Sequence, residues 1–162
     1  MDQKNSPEMV VLDANVLIAI CARENDKLRQ AEAVINDYAA QGVSFYAPGV
    51  VVAEVLYVLC LKLQEGLLSS TTYQESIENF QDQMTGISPP PRGDNSLIAR
   101  AVEIRRTYGC SRSSDAIYIA LAEDLSKTSE VEILTFDKGL ENQVAKNAPT
   151  VKIRLLTPLV VN

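Results

Sequence analysis

Apolar positions along the chain fall into short unbroken runs separated by longer stretches with helical spacing. Met9–Leu12 (MVVL) is an uninterrupted apolar run, the pattern of a strand buried on both faces of a sheet. Asp13 interrupts it, and Ala14–Ile20 resumes with helix-compatible residues. Between Asn25 and Ala40 the residues Leu28, Ala31, Val34, Ile35 and Tyr38 form one helical stripe, which Gly42 ends. Val43, Phe45 and Ala47 then alternate as a second short strand. Pro48 suits the start of a helix, where its missing N–H costs nothing. That helix, Gly49–Gln64, is apolar almost all round, so the pattern predicts deep packing and makes Glu54 in its middle conspicuous. A carboxylate buried there has to be protonated, paired or bound to a metal.

Thr71–Met84 is polar enough to predict a helix on the outside of the molecule. Gly86 and Pro89–Pro91 break the chain, leaving room for a short edge strand around Gly86–Ser88. Asp94 is predicted to cap a helix from Asn95 to about Tyr108, with Leu97, Ala101, Val102 and Ile104 inward. Ser113 or Ser114 caps the next, SDAIYIALAEDL. Val131–Phe136 is a strand ending on Asp137, followed by a helix to about Lys146 and a last strand, VKIRLL. Strands alternating with helices predict a three-layer α/β/α sandwich with a mostly parallel four- or five-stranded sheet, its first strand central. Residues 1–7 form a polar tail, and 8–162 one domain with a helical hairpin and Pro-rich loop at about 66–93.

Composition narrows the chemistry. With 162 residues, 46% of them hydrophobic, the chain can bury a core without disulfides. No apolar window reaches bilayer-spanning length and the N-terminus has no apolar leader, so the expectation is a cytoplasmic protein without membrane contact. The three cysteines, Cys21, Cys60 and Cys110, lack metal-ligand or redox spacing. Histidine is absent, which excludes His-assisted triads and His-ligated zinc and leaves carboxylates as the main titratable groups. The net charge of −6 argues against adhesion to nucleic acid through a broad basic surface.

The predicted topology gathers four of those carboxylates. In a parallel sandwich the helix N-termini collect at the strands' carboxyl edge, where such folds place ligands. Asp13 and Asp137 end strands, Asp115 lies in the first turn of a helix, and Glu54 about one turn into another. Each has a plain structural reading taken alone: Asp13 and Asp137 as helix caps, Asp115 as a complement to a helix dipole. Together they are harder to explain that way, because two carboxylates about 4 Å apart repel by roughly 4 kcal/mol at an effective dielectric near 20. A hard divalent cation, Mg²⁺ or Mn²⁺, relieves that repulsion and can activate water against a phosphodiester.

The segments VVLDANVLI, VVAEVLYVL, SSDAIYIALAE and ILTFD, in this order and spacing, resemble those of PIN-domain nucleases, most closely the single-domain VapC-type toxins of prokaryotes. The resemblance implies metal-dependent RNA cleavage by an acidic quartet, Asp13, Glu54, Asp115 and Asp137, with Mg²⁺ or Mn²⁺ as cofactor. It also implies supporting polar residues at Asn15 and Thr135, beside Ser114 before the third acid. Toxins of this type are commonly homodimers and can have a protein antitoxin. Arg92, Arg100, Arg105, Arg106 and Arg112 cluster ahead of Asp115, with Arg112 and Arg92 the candidate RNA contacts. Two other classes compete. An aspartyl-phosphate phosphatase would use Asp13 as nucleophile but usually wants a second Asp where this chain has Asn15. A PIN fold without catalysis would serve as an RNA-binding or protein-interaction module.

Overall fold

A computed structural model describes residues 6–110 and 114–159. Strand β1 (Met9–Leu12) leads into α1 (Ala14–Cys21) and α2 (Leu28–Ala40). Next come β2 (Ser44–Tyr46), α3 (Val50–Gln64), α4 (Ser70–Thr85) and β3 (Ile87–Ser88). A 3₁₀ turn, Asp94–Leu97, precedes α5 (Ile98–Arg106) and α6 (Asp115–Leu125), followed by β4 (Val131–Thr135), α7 (Lys138–Asn147) and β5 (Lys152–Leu155).

The five strands form one all-parallel sheet in the order β3-β2-β1-β4-β5. The unbroken run MVVL therefore takes the middle of the sheet, where Val10, Val11 and Leu12 are covered on both faces. Val11 sits between Tyr46 of β2 and Ile133 of β4 in register. The chain moves outward through β2 and β3 on one side of β1, then returns to β4 and β5 on the other. The strand order thus reverses between β1 and β4. In an open parallel sheet, that reversal opens a crevice at the strands' carboxyl ends. Asp13 leaves the sheet on one side of it, and Thr135, Phe136 and Asp137 on the other.

Helix α4 occupies the 66–93 stretch and packs on α1 and α3, so the predicted hairpin is folded onto the body of the molecule. Ser69 caps it, its Oγ accepting from Thr72 N at 3.1 Å. Three expectations need correction. Helix α3 is not buried all round: Val51, Val55 and Leu59 face the core, while Val52, Leu56, Tyr57 and Leu61 are exposed. The helix after Asp94 opens as a 3₁₀ turn, and Leu97 and Ile104 are buried whereas Val102 is exposed.

The third concerns Asp94, whose side chain does not cap its own helix. Its Oδ1 accepts from Gly49 N at 2.9 Å, closing the N-terminus of α3 from 45 residues away. Only glycine permits this approach, since a Cβ at position 49 would stand 2.5 Å from Asp94 Oδ2. Gly49→Ala is expected to cost about 1 kcal/mol, the worth of a helix cap, or about 3 °C in melting temperature. Asp94→Ala should cost a similar amount, and the double variant little more than either, as measured by thermal unfolding.

Candidate active site

Asp13 follows β1 with extended backbone angles and stands at the N-cap of α1, yet its side chain makes no cap hydrogen bond. Its Oδ2 instead accepts from Thr135 Oγ1 at 2.6 Å and from Asn15 Nδ2 at 2.8 Å. Asn15 lies in the first turn of α1, two residues on, so its amide folds back over the strand end. Asn15 Nδ2 also reaches Thr135 Oγ1 (3.1 Å), and its Oδ1 accepts from Phe136 N (3.1 Å). Thr135 Oγ1 in turn accepts from Asp137 N at 2.9 Å. These bonds join the carboxyl ends of β1 and β4 and hold the Asp13 carboxylate in one orientation.

Asp13 is only 8% exposed. Burial, and then the negative charges of Asp115 and Glu54, push its carboxyl up from near 3.8 to about 7; the Thr135 hydrogen bond and the Ala14 amide pull the other way. Asp115 opens α6 and is half-buried. Glu54, one turn into α3, is also half-buried, and Tyr118 Oη donates to its Oε1 at 2.8 Å. The Tyr118 phenol is pushed far above its usual range by burial and by the Glu54 and Asp13 charges, so it stays a neutral donor. Asp137 is exposed and keeps its structural role as the cap of α7, accepting from Gly139 N at 2.6 Å. A Cβ at position 139 would lie 2.9 Å from Asp137 Oδ1, so a larger residue there would displace the carboxylate.

All four carboxylates line one open cavity of about 340 Å³, together with Asn15 and Ser114. Among the described residues, however, no three His, Cys, Asp or Glu side chains converge closely enough to hold an ion by themselves. The hydrogen bonds explain why: Glu54 is held by Tyr118, Asp13 by Thr135 and Asn15, and Asp137 by Gly139. The donor set still suits a hard cation, being all carboxylate oxygen. Mg²⁺ usually takes one or two carboxylates and completes its shell with water and phosphate oxygens rather than with an all-protein cage. The charge that Asp115 and Glu54 impose on buried Asp13 is the repulsion a cation relieves.

The arginines stand differently. Arg92 is ion-paired with Asp124, nine residues beyond Asp115 on α6, which puts it about 14 Å along the helix axis from the acid cluster. Arg100 pairs with Glu123 in the same part of the fold. Arg112 lies outside the described residues. Tyr118 is the functional candidate that sequence reasoning passed over. Its spacing three residues after Asp115 was the available signal, since it puts both side chains on one face of α6.

An all-parallel α/β sandwich with buried and exposed acids gathered at its strand-order reversal defines an acid-lined α/β domain. The sequence model of the PIN domain matches residues 10–146, and the chain belongs to that family. It is 30% identical over 134 residues to ribonuclease VapC3 of Mycobacterium tuberculosis (strain H37Rv), a span of 83% of this chain and 86% of the relative. Solved structures that share the fold include the following two. One is VapBC2 from Rickettsia felis bound to a DNA fragment from its promoter, with a TM-score of 0.61 and 10% identity over 91% of this chain and 98% of that one. The other is FitAcB from Neisseria gonorrhoeae, with a TM-score of 0.58 and 18% identity over 90% and 96%.

Proposed function

We propose that this protein is a metal-dependent endoribonuclease, the toxin of a toxin–antitoxin pair, and that the acid-lined cavity is its active site. The observation that carries the reading is buried Asp13, facing Asp115, Glu54 and Asp137 across one cavity in a chain 30% identical to a ribonuclease. Asp13, Asp115 and Asp137 would hold Mg²⁺ or Mn²⁺, with Glu54 a further ligand or an anchor beside it. When bound, the ion would lower the pKa of a water and offset charge on a phosphodiester in its transition state. Asn15 and Thr135 orient the Asp13 carboxylate through the bonds described above, and the Gly139 amide does the same for Asp137. The cavity is negative and the chain carries a charge of −6, so RNA phosphates are repelled unless a cation is present. RNA affinity should therefore depend on the metal.

Purified protein given RNA with Mg²⁺ or Mn²⁺ should shorten it, and EDTA should stop the reaction. Intact RNA under both conditions would leave the non-catalytic PIN module, the reading favoured by the lack of three convergent acids among the described residues. The phosphatase reading is disfavoured by Asn15, which stands where that chemistry usually wants a second Asp. Antitoxin pairing is testable by co-expressing the adjacent open reading frame and asking whether its product suppresses cleavage.

We also infer a homodimer through α3. Val52, Leu56, Tyr57 and Leu61 make an exposed apolar stripe, with Tyr57 68% exposed, which is costly in water and suits a self-complementary interface. Light scattering should give twice the monomer mass at micromolar concentration. Leu56→Asp combined with Tyr57→Asp should halve that mass, and a monomeric wild type would remove the inference.

A further inference from the structure

We propose that Tyr118 is a positioning residue for the reaction, fixing the Glu54 carboxylate in the acid-lined cavity; the inference rests on the nuclease reading of that cavity. Glu54 comes from α3 and is bordered along its own helix by Val51, Val55 and Val58, none of which can hold a carboxylate in place. Among the described residues its one hydrogen-bond partner is the Tyr118 hydroxyl, at 2.8 Å. A glutamate has three side-chain torsions to sample, so a half-buried carboxylate held by nothing spreads over several rotamers. Tyr118 removes that freedom efficiently. It is 1% exposed, its ring is locked by packing, and its position is set by α6.

The same hydroxyl joins three elements of the site. Tyr118 lies one turn after Asp115 on α6, its oxygen meets Glu54 of α3, and the Asp13 charge at the end of β1 is close enough to push its phenol up. Three of the four acids thus share a neighbour whose placement comes from the buried core, not from a loop. Reaction sites need supporting groups held to within a fraction of an ångström, and a misplacement of about 1 Å can cost about a hundredfold in rate. Phenylalanine would fill the same core volume without the donor, so the hydroxyl is separable from the packing.

The test compares wild type, Tyr118→Phe, Glu54→Leu and the double variant. Tyr118→Phe should melt within a few degrees of wild type, yet cleave RNA with kcat lowered about tenfold and KM within about twofold. Without substrate, the Mn²⁺ concentration that half-saturates the melting shift should rise severalfold. In a Glu54→Leu background, which offers the hydroxyl no acceptor, its removal should add no further change in that midpoint, since the two act as one unit. In metal-free protein, Glu54→Leu should perturb the tyrosine ultraviolet absorption, and that perturbation should vanish when Tyr118 is Phe. Wild-type kcat and metal midpoint in Tyr118→Phe would overturn the proposal and leave Tyr118 a core residue. If wild type itself shows neither cleavage nor a metal-dependent melting shift, the nuclease reading falls and the positioning role with it. The wild-type arm therefore separates the two failures.

Discussion

Asp13→Asn should abolish EDTA-sensitive RNA cleavage, by on the order of a thousandfold, while leaving the protein folded. The two effects separate because of what the side chain contacts. Asparagine keeps an acceptor oxygen for Thr135 Oγ1 and Asn15 Nδ2, so the bonds between the ends of β1 and β4 survive. No helix cap is lost, since the Asp13 side chain makes none. What disappears is the buried negative charge. Wild type should gain about 5–10 °C in melting temperature at a hundredfold excess of Mg²⁺ or Mn²⁺ over its dissociation constant. Most of that gain should vanish in Asp13→Asn. Equal metal-induced shifts in the two proteins would show that the ion binds elsewhere.

The metal-free protein should also lose stability as pH rises from about 4 to about 7, in a step that Asp13→Asn lacks. The Asp13 carboxyl titrates near 7 in the fold and near 3.8 when exposed, chiefly because burial penalises its charged form. Between those values the folded state holds a proton that the unfolded chain has released. The unfolded state then binds fewer protons, so unfolding free energy falls with rising pH and levels off above about 7. A shift of about three pH units corresponds to at most about 4 kcal/mol. Other carboxylates tilt the wild-type curve as well, and the difference between wild type and Asp13→Asn isolates this residue. Denaturant melts in EDTA at pH 5 and pH 8 suffice. The variant should overtake wild type at the higher pH, and Mg²⁺ should restore most of the wild-type loss by favouring the charged carboxylate. Parallel stability curves would show that Asp13 is ionised in the folded protein without help.

Much of this architecture was legible in the residue pattern. The run MVVL suited a strand covered on both faces, and it lies in the middle of the parallel sheet. The alternation of strands and helices, with right-handed crossovers, then brought Asp13, Glu54, Asp115 and Asp137 to one edge before any distance was known. Local pattern and global topology agree there because both are governed by burial of apolar surface. What pattern could not supply were contacts between positions distant in the chain. Asp94 reads as the cap of its own helix, and only the folded chain brings Gly49 N within its reach. Helix α3 reads as buried almost all round, because an exposed apolar residue looks the same in sequence as one in the core. Arg92 reads as a candidate RNA contact ahead of Asp115 but is ion-paired with Asp124 at the far end of α6. Tyr118 carries no signal in the pattern beyond its spacing from Asp115; it is buried in the core, and its hydroxyl meets a carboxylate 64 residues earlier only in the folded chain. Sequence alone determined which side chains could reach the crevice, since strand and helix periods are local properties of the backbone. The tertiary structure decided which of them are buried, paired or held, because desolvation and hydrogen bonding depend on neighbours supplied from elsewhere in the chain.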